Sequence, residues 1–111
     1  RTPDIPAFTK LRFLPGDAYY CGGELVPVFD DRERVNGRLA GRIAADQIVP
    51  YPAGIPVLVP GQLITKKIVD YLGALLHSHK RMEMHGVGHE GYVPCIRVLR
   101  AQEERALHRL S

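Results

Sequence analysis

A chain of 111 residues is the size of one ordinary domain, and 45% apolar with 24% charged residues is ordinary usage for a soluble globular protein. The net charge of +3 and the pI near 9.1 come from scattered arginines, several beside carboxylates as in Asp31-Arg32-Glu33-Arg34. That is not the one-sided basic patch with interleaved aromatics of a nucleic-acid binder, and no apolar run approaches the roughly 18 residues of a membrane span.

Cys21 and Cys95 form no CxxC pair and have no regular spacing, so two reduced, partly buried thiols in a cytoplasmic protein are expected. No signal-peptide pattern opens the chain. It begins with Arg1 rather than Met, which leads to the expectation of a fragment or processed product of a larger parent.

In chain order, residues 1–11 read as an irregular arm, extended at Pro3 and Pro6, and residues 8–14 pair or pack weakly. Pro15-Gly16 signals a turn, with Asp17 as the expected cap of one helical turn that Gly22-Gly23 breaks. Residues 25–29 have strand composition, confined by Pro27 to an edge or an irregular position. The polar stretch 30–39 reads as a loop with one helical turn. A strand is expected over 41–49, ended by Pro50, then a rigid turn over 50–56 with three prolines, then a short buried strand over 57–59.

The clearest element is a helix over residues 63–79. Ile64, Ile68, Tyr71, Leu72, Leu75, Leu76 and His79 recur at three- and four-residue steps and share one face, with Thr65 as N-cap. Gly86-Val87-Gly88 turns the chain, residues 92–99 form a strand that Pro94 marks as an edge, and residues 102–110 form a terminal helix. The fold class is therefore α+β: a small single domain of short strands, one main amphipathic helix and Pro-rich irregular connections, with 100–111 as terminal helix or tail.

The chemistry-bearing groups are sparse. His77, His79, His85, His89 and Glu90 do not follow a structural-zinc spacing, Gly86-Val87-Gly88 does not open a helix as a phosphate loop does, and Cys95 has no activating neighbour in sequence. No catalytic, cofactor-binding or metal residue is assigned on these grounds.

One segment is distinctive. GRIAADQIVPYPAGIPVLVPGQLIT, residues 41–65, resembles the C-terminal domain of the bacterial ornithine/lysine/arginine decarboxylases, whose members carry a GR-(I/V)-x-A strand, PYPPGIP, a short apolar run, PGE and a helix. PGDAYY (15–20), GELVPV (23–28), EMHG (83–86) and residues 92–99 are similar to the family's flanking segments, so the likeness covers roughly residues 12–99. Ala53 replaces the family's second proline, Gln62 stands where an acidic residue is usual, and 30–39 is longer than the family's link.

The resemblance implies a parent that decarboxylates ornithine, lysine or arginine with pyridoxal phosphate, feeds polyamine metabolism and forms a homo-oligomer. It implies no cofactor in this portion, which would brace the catalytic domain, the subunit interface and the active-site entrance. Tyr51, Pro52, Gly54, Ile55, Pro56, Gln62 and His85 are the candidates for those surfaces. Ser78-His79-Lys80 is one residue short of the family's S-x-H-K cofactor motif, and Lys80 with Arg81 is expected only to complement the helix dipole. The alternative is a free-standing interaction module that docks through the turn at 50–56.

Overall fold

The computed structural model describes residues 6, 8–50, 56–78, 84–90 and 93–110. A three-stranded antiparallel sheet is built from β1 (Glu24–Pro27), β4 (Val87–Glu90) and β5 (Val93–Val98) in the order β1-β5-β4. A two-residue pairing of β2 (Val49–Pro50) with β3 (Met84–His85) lies beside it. The helices are α1 (Pro15–Tyr19), α2 (Lys66–Ser78) and α3 (Ala101–Leu110), with a 3-10 turn at Gly37–Leu39.

The core follows from two periodicities. Val26 of β1 with Ile96 and Val98 of β5 are buried, two residues apart along β5, while Leu25 is open on the other face. Ile68, Val69, Tyr71, Leu72 and Leu75 on α2 bury the matching helical stripe in the same cluster. A smaller cluster gathers Ala18, Ile43, Ala45 and Leu99, with Phe13 and Leu107 packed against it. The expected α+β architecture is the one observed.

Pro27 lies on an edge strand, as its missing donor requires. Pro94 corrects the sequence reading, since β5 is the central strand. It is tolerated there because it sits where pairing with β1 ends. Val28 N donates to Pro94 O at 3.0 Å, and the return bond that a proline cannot make is replaced by Asn36 N, which donates to Val28 O at 2.8 Å. The Asn36 side chain completes a clasp: Nδ2 donates to Pro27 O at 2.9 Å, and Oδ1 accepts from Arg38 N at 3.0 Å to cap the 3-10 turn.

The strand expected over 41–49 is also corrected. The segment divides its hydrogen bonds between two neighbours, so it makes isolated bridges rather than a ladder: Ile43 with Leu63, Ala44 with Val98, Ile48 with Leu58. Ala44 N donates to Gln62 O at 2.9 Å, whereas the next amide, Ala45 N, donates to Arg97 O at 3.0 Å. Pro50 is the last residue of the two-residue β2, and residues 57–59 contribute only the Leu58 bridge.

Helix α2 is shorter at its N-terminus than the apolar period suggests, because Thr65 caps it and accepts from Ile68 N at 3.3 Å. His79 lies outside the described residues. At α1 the cap position is Leu14, with no side-chain cap bond; Pro15 starts the helix and Asp17 falls in its first turn rather than at its cap. Residues 10–13 do pair as expected: Arg12 N donates to Gly61 O at 2.8 Å and Leu63 N to Lys10 O at 3.2 Å. Gly61 has φ +88, and a Cβ there would lie 2.2 Å from Phe13 O, so only glycine allows the arm to lie this close. Cys21 is half-buried, Cys95 is buried, and neither forms a disulfide.

Candidate functional site

Of the candidate surface residues, Tyr51, Pro52, Gly54 and Ile55 lie outside the described residues. The residues on either side of that segment are placed: Pro50 is buried within β2 and Pro56 is exposed just before buried Val57 and Leu58. His85 is in the backbone ladder opposite Val49, two residues before Tyr51 in sequence. Gly86 follows with φ +95, and a Cβ there would meet Gln47 O at 1.8 Å, so only glycine allows the link between β3 and β4 to lie this close to 47–48.

Gln62 is brought to a different place. Its side chain is fully buried; Oε1 accepts from Val59 N at 3.0 Å and Nε2 donates to Thr9 Oγ1 at 2.9 Å. Thr9 then donates to Leu63 O, so the amide ties the arm to the 59–63 turn. The amide serves as acceptor for Val59 N and as donor to Thr9 Oγ1, whose own proton goes to Leu63 O.

The dominant polar feature is Arg97 on β5. Its guanidinium donates to Cys21 O at 2.6 Å, Gly22 O at 3.2 Å, Tyr19 O at 3.2 Å and Ala45 O at 2.8 Å. Asp46 lies 3.6 Å away and the Tyr19 ring is 5.6 Å below the guanidinium carbon. Arg97 therefore staples α1 and the 45–46 backbone to the sheet. Beside it Glu24 meets Arg42 at 2.6 Å and Arg100 at 3.9 Å, and Arg42 also donates to Leu99 O at 2.9 Å.

Glu103 holds α3. Oε1 accepts from Arg100 N at 2.8 Å, the back-bond of a capping box, and Oε2 accepts from Gly23 N at 3.0 Å. The Gly23 amide, then the Arg100 amide and charge, hold its carboxyl below the ordinary value against the opposing effect of burial. Asp30 is lowered chiefly by the Arg34 amide, helped by the Arg32 amide and the Arg34 charge. Burial first and the Glu103 charge second push the Cys21 thiol up, the wrong direction for a nucleophile.

Sequence reading missed Arg97, Glu103 and Asn36. Arg97 carries no local signal, since its hydrogen-bond partners are 52 to 78 residues away. Glu103 did carry one: it stands three residues after the helix-capping position, where a capping-box acid belongs.

None of this is a catalytic constellation. Among the described residues no group of three or more His, Cys, Asp or Glu side chains could hold a metal. Pyridoxal phosphate needs a lysine in a cradle for its phosphate and ring. Lys10, Lys66 and Lys67 are exposed, Lys66 is paired with Asp70 at 2.9 Å, and the two clefts beside α3 have no lysine in their walls. The described residues do not fit that cofactor; Lys80 lies outside them. Within the same limit, no helix is long and apolar enough to cross a membrane.

The geometry of the described residues is that of a small α+β domain, stapled by arginines and carboxylates around a main core and a smaller second cluster. The sequence profile of the family described as Orn/Lys/Arg decarboxylase, C-terminal domain, matches residues 24–99, from the start of β1 to just past β5. The chain belongs to that family. It is 34% identical to the arginine decarboxylase of Bacillus subtilis (strain 168) over 68 residues, covering 61% of this chain and 12% of that protein. It is 31% identical to the lysine decarboxylase of Hafnia alvei over 93 residues, covering 74% and 12% respectively. Among solved structures, the lysine decarboxylase of Francisella novicida superposes with a TM-score of 0.69 at 25% identity, over 85% of this chain and 14% of the other. The constitutive lysine decarboxylase of Escherichia coli gives 0.67 at 26%, over 86% and 14%. The chain thus spans 12–14% of the length of these relatives.

Proposed function

We propose that the chain is the C-terminal accessory domain of a cytoplasmic, homo-oligomeric, pyridoxal-phosphate-dependent decarboxylase of ornithine, lysine or arginine. In that enzyme it braces the catalytic portion, the subunit interface and the active-site entrance, without contributing the cofactor lysine. Pyridoxal phosphate, held in the catalytic portion, would supply the electron sink for decarboxylation. The observation that carries the reading is the family match over residues 24–99 in a chain that covers only an eighth or so of its decarboxylase relatives. The turn at 50–56, with His85 paired opposite Val49 just before it, is the surface proposed to face the entrance.

The test has two arms. The coding sequence flanking this region should contain, in frame, a catalytic portion whose product releases an amine from lysine, arginine or ornithine with pyridoxal phosphate. The 111-residue chain alone should give neither amine nor aldimine absorbance. A stoichiometric aldimine at Lys80 would overturn the accessory reading, and a reading frame with no catalytic portion would replace it with the stand-alone interaction module.

A further inference from the structure

The main core is closed on the α2 side of the sheet, but the two segments flanking the family-matched region are not. Phe8, Leu14 and Leu110 are 64%, 71% and 83% exposed, and Leu11 is 38% exposed. Helix α3 is amphipathic, yet none of its residues is fully buried. Between the arm and α3 runs a groove of about 350 Å³ walled by Leu11, Phe13, Leu14, Leu107 and Leu110, with Arg12 and Asp17 at its rim. Several large apolar side chains converging on one concave strip mark an interaction surface rather than chance exposure.

We infer that this groove is where the catalytic portion of the parent polypeptide docks, an inference that rests on the proposed accessory role. The relatives carry this region as 12–14% of a continuous chain, so most of each polypeptide lies outside what is matched here. A tethered partner acts at an effective concentration in the millimolar range, far above that of a separate second copy at ordinary protein concentrations. The tethered portion is therefore the favoured occupant. Its docking segment presents leucine- or phenylalanine-like side chains to the groove. It also presents a carboxylate to Arg12, whose guanidinium meets none among the described residues. The groove lies on the α1 and α3 side, so this docking surface is additional to the turn at 50–56.

Leu14→Cys and Leu110→Cys test it, with Lys66→Cys as the open control on α2. Each is labelled with a maleimide and read peptide by peptide, in the complete parent polypeptide and in the 111-residue chain, with circular dichroism confirming the fold of each variant. The expected result is labelling of Leu14→Cys and Leu110→Cys at least tenfold slower in the parent than in the chain alone, with Lys66→Cys equal in both. Equal rates at all three positions overturn the inference. Slowing in the chain alone that grows with its concentration also overturns it and assigns the groove to a second copy. Amine release by the parent is measured separately, so a parent without decarboxylase activity defeats the accessory reading whether or not the groove is protected.

Discussion

Residues 24–99 and the segments on either side bury their apolar groups by different means. The central layer closes on itself: Leu72, Leu75, Ile96 and Val98 are each about 1% exposed or less, and sheet and helix cover one another. The arm and α3 rest on that layer through the partly buried Phe13 and Leu107 and through directed polar contacts, among them Gln62 with Thr9, Glu103 with Gly23 and the Arg12–Gly61 backbone bond. Hydrophobic burial scales with area and does not depend on any one atom, whereas each polar clasp depends on a single geometry. The flanks should therefore open at lower cost than the centre.

Four substitutions break or sharpen that contrast. Leu72→Ala opens a cavity in the central layer and should cost about 2–5 kcal/mol in urea unfolding, lowering the stability of all elements together. Arg97→Met strands the Cys21 and Ala45 carbonyls and should cost about 2–3 kcal/mol, with α1 losing hydrogen-exchange protection first.

Glu103→Gln should cost about 1 kcal/mol at neutral pH and loosen α3 alone, seen as faster exchange over residues 101–110. Its pH dependence has a fixed sign. The folded-state pKa lies below the unfolded value, so the carboxylate's contribution is complete above the ordinary range near 4.3 and disappears as pH falls through the lowered pKa. The difference between the native chain and the variant should shrink accordingly as pH falls from about 5 through that lowered pKa. Asp30, lowered in both proteins, cancels in that difference. Lys66→Ala removes an exposed pair with Asp70 and should shift stability by no more than about 0.5 kcal/mol in the same urea assay.

Legibility in the sequence divides along similar lines. Helix α2 could be read because its stripe repeats locally, and Thr65 announced its start. Pro27 alone narrowed β1 to an edge or an irregular position, and it lies on an edge. The segment 41–49 misled because apolar spacing reports burial, not which neighbour receives each hydrogen bond, and here successive amides turn to different partners. Pro94 misled because its missing donor was compensated by Asn36, far away in sequence. Gln62 reads as a surface residue by type, and only the arm folding back from 53 residues away makes it a buried tie. The PYPAGIP string identified the relatives, but Tyr51, Pro52, Gly54 and Ile55 of its turn lie outside the described residues.

The Asn36 clasp has a consequence for sequence drift. Upstream of it, Asp30 Oδ1 accepts from the amides of Arg32 and Arg34 at 2.9 Å, and Glu33 takes a positive φ at the tip of the turn. The loop is therefore pinned at both feet, by Asp30 on one side and by Asn36 with the core-packed Val35 on the other, while Arg32 and Glu33 at its tip are exposed. Doubling such a loop adds only about 0.6 kcal/mol of closure entropy. Insertions between the two feet can then accumulate, or a short peptide tag be spliced in, while β1 and β5 keep their register.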